Sequence, residues 1–351
     1  MKKNILRIIC AVLVISMMIV CCGCGSSSQS SSTAASGTAS DAAASDAASD
    51  ASAAEAKSLS IAYQYGLGYA PLIICQQQGL IEEAYAELTG GTVTVEWNLM
   101  SSGSDINTGI ASGDIDIGFM GISPAITGIS KDVGYKIFTG VSCQEHGLMT
   151  NDPDINSLGD IIGSSKQIAL VNIGSFQHIV LAKALADNGY DPHALDSNIV
   201  AMKNPDGMTA VESGSVACHV TTNPYIFKER DNESLHELTE VNAAWTVEKT
   251  HIVGVAATTL YTDDNDLYLA VCNAIAKAAD LITDDPEGAA AITYEFNGNT
   301  VEEEAELLQR TNYTTATSGL FEVAQFMSEY SFVDAQFSSY SELVFDNVQG
   351  D

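Results

Sequence analysis

The stretch SSGSDINTGIASGDIDIGFMGISPA, residues 101–125, decides the architecture. It opens on a Ser/Gly turn, takes up a helical pattern over 105–111, breaks at Gly113 and becomes an apolar run over 115–120. A second Gly/Ser turn then leads into another helical pattern at 123–129. Turn, helix, strand, turn and helix in succession is the rhythm of an α/β sheet with parallel neighbours. Upstream, 59–63 reads as a strand, 71–88 as a helix with Pro71 in its first turn, and 93–97 as a strand; downstream, 135–141 is extended. The rhythm restarts at 167–171 (strand), 176–188 (helix), 198–202 (strand), 205–212 (helix) and 217–221 (strand). Beyond about 260 the chain is mostly helical, over 265–282, 286–296, 301–309 and 320–330. The expected fold class is α/β: two lobes followed by a helical C-terminal part, which 351 residues can accommodate. No repeat of 20–50 residues is evident.

The first residues read as an address. Lys2, Lys3 and Arg7 precede the uncharged run 8–22, the layout of a secretory signal over residues 1–23. An uncleaved membrane span is the plainer alternative, but a bilayer asks for roughly 18–20 apolar residues. Cys21-Cys22-Gly23-Cys24 resembles a bacterial lipoprotein box with Cys24 as the lipidated residue, although Cys21 stands where an aliphatic is usual. A CCxC metal cluster fits poorly, because no second pair of cysteines or histidines follows at ligand spacing. After Cys24, residues 25–57 hold 11 Ser and 12 Ala and no aromatic residue, so 24–57 reads as a disordered linker. Its coil reach is on the order of 30 Å. Cys75, Cys143, Cys218 and Cys272 are widely spaced and read as buried free thiols.

Fourteen Lys plus Arg against 45 Asp plus Glu give a net charge of −31, which argues against nucleic acid as a partner. Local backbone dipoles can still hold a small anion. Ligands of open α/β sheets sit beyond the carboxyl ends of strands, so four Gly/Ser turns stand out: 64–69, 101–105, 121–124 and 174–178. None contains Lys or Arg, which leaves amides and hydroxyls to hold an anion there. Tyr63, Tyr65, Tyr69, Phe119 and Tyr225 lie near these turns and are candidates for a partly apolar wall, although each is equally at home in a core. There is no GxGxxG, GxxxxGK, GxSxG or HExxH, and nothing asks for a cofactor or a metal. The adjacent Cys218 and His219 point to opposite faces of a strand and so do not share a metal.

These segments resemble the substrate-binding proteins of ABC importers, in the nitrate, sulfonate, taurine and thiamine-precursor group. The resemblance is carried by YGLGYAPLIICQQQGL (65–80), SGDIDIG with the following Ser-Pro turn, IGSFQHIVLAKALADNGYDP (173–192), the run 204–224 with SGSV and TTNPY, and the tail SFVDAQFSSYSELVFDNV. It implies a type II periplasmic-binding-protein fold, with lobe 1 from 58–144 plus 250–351 and lobe 2 from 145–249. Crossing segments near 141–149 and 245–255 would join the lobes around a ligand cleft. Carried over by motif, the contacts would be Gln64, Tyr65, Gly103, Ser104, Gly121 and Ser123 from lobe 1, and Gly174, Ser175, His178, Thr222 and Asn223 from lobe 2. Tyr69 joins them as wall. Asp105, or Glu145 with His146, is a candidate partner for an ammonium or aminopyrimidine group.

The resemblance implies a non-enzymatic, monomeric capture protein, lipid-anchored on the outer face of a bacterial cytoplasmic membrane. It would deliver a small organic anion or zwitterion to ABC permease subunits. The alternatives are a thiamine-pyrimidine precursor binder, an extracellular sensor, and a pyrimidine-synthase-like enzyme, which would need a cysteine-rich motif near His178 that this chain lacks.

Overall fold

The computed structural model describes residues 57–351. The leader, Cys24 and nearly all of the linker lie outside the described residues. The strands, in chain order, are β1 (Lys57–Tyr63), β2 (Val93–Leu99), β3 (Ile117–Gly121), β4 (Tyr135–Cys143), β5 (His146–Thr150), β6 (Ile168–Leu170), β7 (Ile199–Ala201), β8 (Cys218–Thr222), β9 (His236–Leu238), β10 (Thr250–Ala257) and β11 (Asn312–Tyr313). They form two sheets, ordered β11-β4-β10-β3-β1-β2 and β7-β6-β8-β5-β9.

β1 pairs in parallel with β2 and β3, and β6 in parallel with β7 and β8. The expectation of parallel neighbours therefore holds for the centre of each lobe. It fails at the strands that carry the chain between lobes: β10 runs antiparallel between β3 and β4, and β5 antiparallel between β8 and β9. A strand that enters a sheet after crossing from the other lobe arrives from the opposite end, so it is antiparallel by construction. β5, β9, β10 and β11 carry no separate signal in the sequence, because each is short or is an unbroken apolar run, whose periodicity does not reveal a strand.

Most expected helices are present, including Gly103–Ser112, Ile122–Ser130, Phe176–Asp187, Asn204–Glu212, Asn265–Asp284, Pro286–Asn297, Val301–Gln309 and Leu320–Glu329. The helix expected over 71–88 is two helices, Ala70–Gln78 and Leu80–Thr89. Gly79, with φ of 64°, adopts the left-handed conformation that ends the first of them. One face of the first sheet packs against Ala70–Thr89 and the C-terminal helices, through Ile61, Phe119, Phe138, Tyr268 and Ile275. A second core runs from the other face, through Ile106, Met120 and Ile126, into Phe176, Leu181 and Leu185 of the second lobe. The four thiols of this body are unbonded; Cys75, Cys143 and Cys218 are buried and Cys272 is half-buried.

Candidate functional site

A cavity of about 380 Å³ opens where the carboxyl ends of the two sheets face each other. Gln64, Tyr65 and Gly66 reach it from the end of β1, Ser101, Gly103 and Ser104 from β2, and Gly121 from β3. Lobe 2 contributes Asn172, Gly174 and Ser175 after β6, Lys203 to Asp206 after β7, and Thr222 and Asn223 after β8. Each of these contributions follows the strand-end rule of α/β sheets. Four of these turns run directly into helices of nine residues or more, so free backbone N–H groups converge from both lobes. Ser102 Oγ caps the first by accepting from the Asp105 N–H at 3.2 Å, and Ser175 Oγ caps another by accepting from the His178 N–H at 3.4 Å.

The floor comes from the crossing strands. Gln144 accepts from Thr222 Oγ1 at 2.9 Å and donates to Ser142 Oγ at 3.2 Å. Gly68 packs against it so closely that a Cβ there would lie 1.7 Å from Gln144 Nε2. His251 lines the cavity above the fully buried His146, their ring centroids 4.5 Å apart. Burial pushes His146 down to about 3; burial and then His146 push His251 down as well, so the floor is uncharged at neutral pH.

Asn223 donates from Nδ2 to Thr311 Oγ1 at 2.9 Å, and Thr311 spends its own proton on the Leu307 carbonyl at 3.3 Å. This fixes the amide orientation and leaves Asn223 Oδ1 as a buried acceptor without a partner among the described residues. Gln177 ties the wall together by donating to Asn204 Oδ1 and to the Val220 carbonyl, each at 2.8 Å.

Of the residues singled out in the sequence, Gln64, Tyr65, Tyr69, Gly103, Ser104, Gly121, Gly174, Ser175, Thr222 and Asn223 line this cavity. Three do not. The Asp105 carboxylate accepts from Ser102 Oγ at 2.9 Å in an exposed capping arrangement. Ser123 is fully buried and donates across the lobes to the Gly174 carbonyl at 3.0 Å. His178 lies behind the wall, accepting the Gly174 N–H on Nδ1 at 3.1 Å and meeting Asp196 Oδ1 through Nε2 at 2.8 Å. It positions the Gly174 loop without touching the cavity. Glu145 and His146 are also unsuited to an ammonium group, because Arg230 Nη1 occupies Glu145 at 2.6 Å and His146 is sealed below the floor.

The sequence reading missed Gln144, His251 and the turn after β7. That turn corrects the expectation of a rim without basic residues: Lys203 lines the cavity, and its Nζ stands 5.9 Å from the centroid of the Tyr65 ring on the facing lobe. The signal was available, since Lys203 stands between an expected strand and a helix with Pro205 at its start. Gln144 and His251 had no local signal, being brought to the site by the lobe crossings.

The NMT1-like family model matches residues 52–294. The taurine-binding periplasmic protein of Escherichia coli (strain K12) is 26% identical over 314 residues, covering 82% of this chain and 92% of that protein. The alkanesulfonate-binding protein from Xanthomonas axonopodis pv. citri, solved bound to MOPS, superposes with a TM-score of 0.67 at 17% identity, covering 84% of this chain and 99% of that one. The periplasmic aliphatic sulphonate binding protein from Escherichia coli gives 0.62 at 18%, covering 84% and 93%. Two lobes around a cleft in this chain thus form the periplasmic-binding-protein fold.

Proposed function

We propose, from the premise that this chain belongs to the NMT1-like family, that it captures a small organic anion or zwitterion of taurine, alkanesulfonate or nitrate type and hands it to an ABC permease. The observation that carries this reading is the convergence of helix N-termini from both lobes on one cavity of about 380 Å³. Each helix end contributes about 0.3–1 kcal/mol toward an anion, more where partly buried, and the volume suits a small solute. A ligand that touches both rims favours the closed arrangement over the open one by the difference of its affinities, and this difference is what a permease would read. The leader and the Cys24 box support export and a lipid tether that holds a monomeric body on the outer face of the membrane. The similar proteins named above are binding proteins, in keeping with a non-catalytic role.

A calorimetric and thermal-shift panel of taurine, ethanesulfonate, nitrate and a 4-aminopyrimidine tests the proposal. An anion at 100 times its Kd is expected to stabilise the protein by about 2.7 kcal/mol. A shift produced by the aminopyrimidine alone would overturn the reading in favour of a thiamine-precursor binder.

A further inference from the structure

We propose that Lys203 is the cationic contact of the cleft, and that its ammonium group exchanges the Tyr65 ring of the facing lobe for the oxyanion of an incoming ligand. The inference rests on the anion-capture reading above. Six of the eleven Lys and Arg among the described residues are held by a carboxylate, and of the five that are not, Lys203 alone lines the cavity. Lys57, Lys166, Lys183, Lys249, Lys277 and Arg230 are all claimed in this way. Lys203 makes no ion pair among the described residues, and it lines the cavity at the start of the helix Asn204–Glu212. Asp206, the other formal charge on the wall, lies one helical turn further on and does not pair with it.

The partner Lys203 does have is weak by construction. Tyr65 is 56% exposed and stacks on Phe296 at 5.6 Å, so its ring is held in place at the mouth of the cleft with Lys203 reaching toward it from lobe 2. A solvated cation–π contact loses to a charge-assisted hydrogen bond with a sulfonate or similar oxyanion. The long lysine stem places that exchange at the rim, where one group from lobe 2 can answer a ligand resting on the helix ends of lobe 1. Charge recognition and lobe closure would then share one side chain, and the strongly acidic surface elsewhere would not need to attract the anion.

The test uses the full mature chain and a pair of probes differing in charge, taurine or ethanesulfonate against the uncharged ethanesulfonamide, by calorimetry at 20 and 200 mM NaCl. For the wild type, either sulfonate is expected to bind at least tenfold more tightly than the sulfonamide, with affinity falling as salt rises. Lys203→Gln should lose tenfold or more in sulfonate affinity together with most of the salt dependence, and Lys203→Arg should restore both. With lysines labelled by 13C-dimethylation, the signal missing from Lys203→Arg should move when sulfonate is added. If Lys203→Gln binds sulfonate with wild-type affinity and salt dependence, the Lys203 assignment falls and anion capture stands. If the wild type binds neither sulfonate, both readings fall.

Discussion

Two groups of histidines flank the cleft, and of the four side chains three are driven down and only His193 is driven up. On the floor, His146 and His251 come one from each crossing strand and lie 4.5 Å apart, with Phe176 set against both rings. Neither makes an ion pair among the described residues, and burial pushes both down. On the outer wall of lobe 2, Asp196 accepts from His178 Nε2 and His193 Nδ1, each at 2.8 Å. His178 is still pushed down, because its burial outweighs Asp196, whereas the half-open His193 is raised. His193 rises chiefly through the Tyr330 carbonyl on its second ring nitrogen, with Asp196 adding, so a carboxylate alone does not charge a histidine.

The largest way to sharpen this contrast is acid. An unfolded His146 titrates near 6.5 and the folded one at about 3, so between those values the unfolded chain binds the extra proton. Stability is therefore expected to fall as pH drops below 6.5, by about 1.4 kcal/mol per unit from His146, with His251 adding in the same direction. Urea midpoints at pH 7, 6 and 5 measure the slope. His146→Gln should flatten it, and equal slopes in the two proteins would break the account of the floor.

A smaller effect comes from packing. Gly68→Ala puts a Cβ where Gln144 Nε2 now lies, 1.7 Å away, and Gln144 cannot yield without disturbing its bonds to Thr222 and Ser142. About 1–3 kcal/mol of stability should be lost, with anion affinity reduced alongside because Gln144 lines the cavity. Denaturant unfolding and calorimetry on the same variant check both parts. Unchanged binding would mean that the floor is free to repack.

The floor and the wall also differ in how far the sequence revealed them. The rim turns at 101–104, 121 and 174–175 announced themselves through Gly and Ser between a strand pattern and a helix pattern, and they line the cavity. His178 carried the same signal through its place in a first helical turn, yet its ring turns inward to Gly174 and Asp196. Sequence position gave its neighbourhood without its direction. His251 and Gln144 were unreadable for a different reason: they reach the cavity because two separate chain crossings converge, a long-range property that no local spacing encodes. β10, buried along nearly all of its length, had no alternation to betray it.

The finest discrimination lies in His193. Its Nδ1 faces Asp196 Oδ2 and its Nε2 faces the Tyr330 carbonyl, each at 2.8 Å, while its ring stacks on Phe332 at 4.3 Å. Carboxylate and carbonyl only accept, so both contacts exist together only when both ring nitrogens carry protons. The neighbours agree: the Tyr330 carbonyl raises its pKa most, and with Asp196 and Asp191 it outweighs desolvation. Tyr330 follows the helix Leu320–Glu329, which packs on the lobe 1 helix Ile122–Ser130, so the imidazolium clips that C-terminal segment to lobe 2. A raised folded value means the clip contributes fully below pH 6.5 and is lost as pH rises through that value, the reverse of the floor. With the side chain 41% exposed, solvent screening holds the effect under about 1 kcal/mol. His193→Gln keeps at most one of the two donors and should weaken the protein slightly at pH 6 and not at pH 8. An NMR titration of the His193 ring protons should give a midpoint above 6.5; a midpoint below it would place His193 with the floor pair and dissolve the contrast.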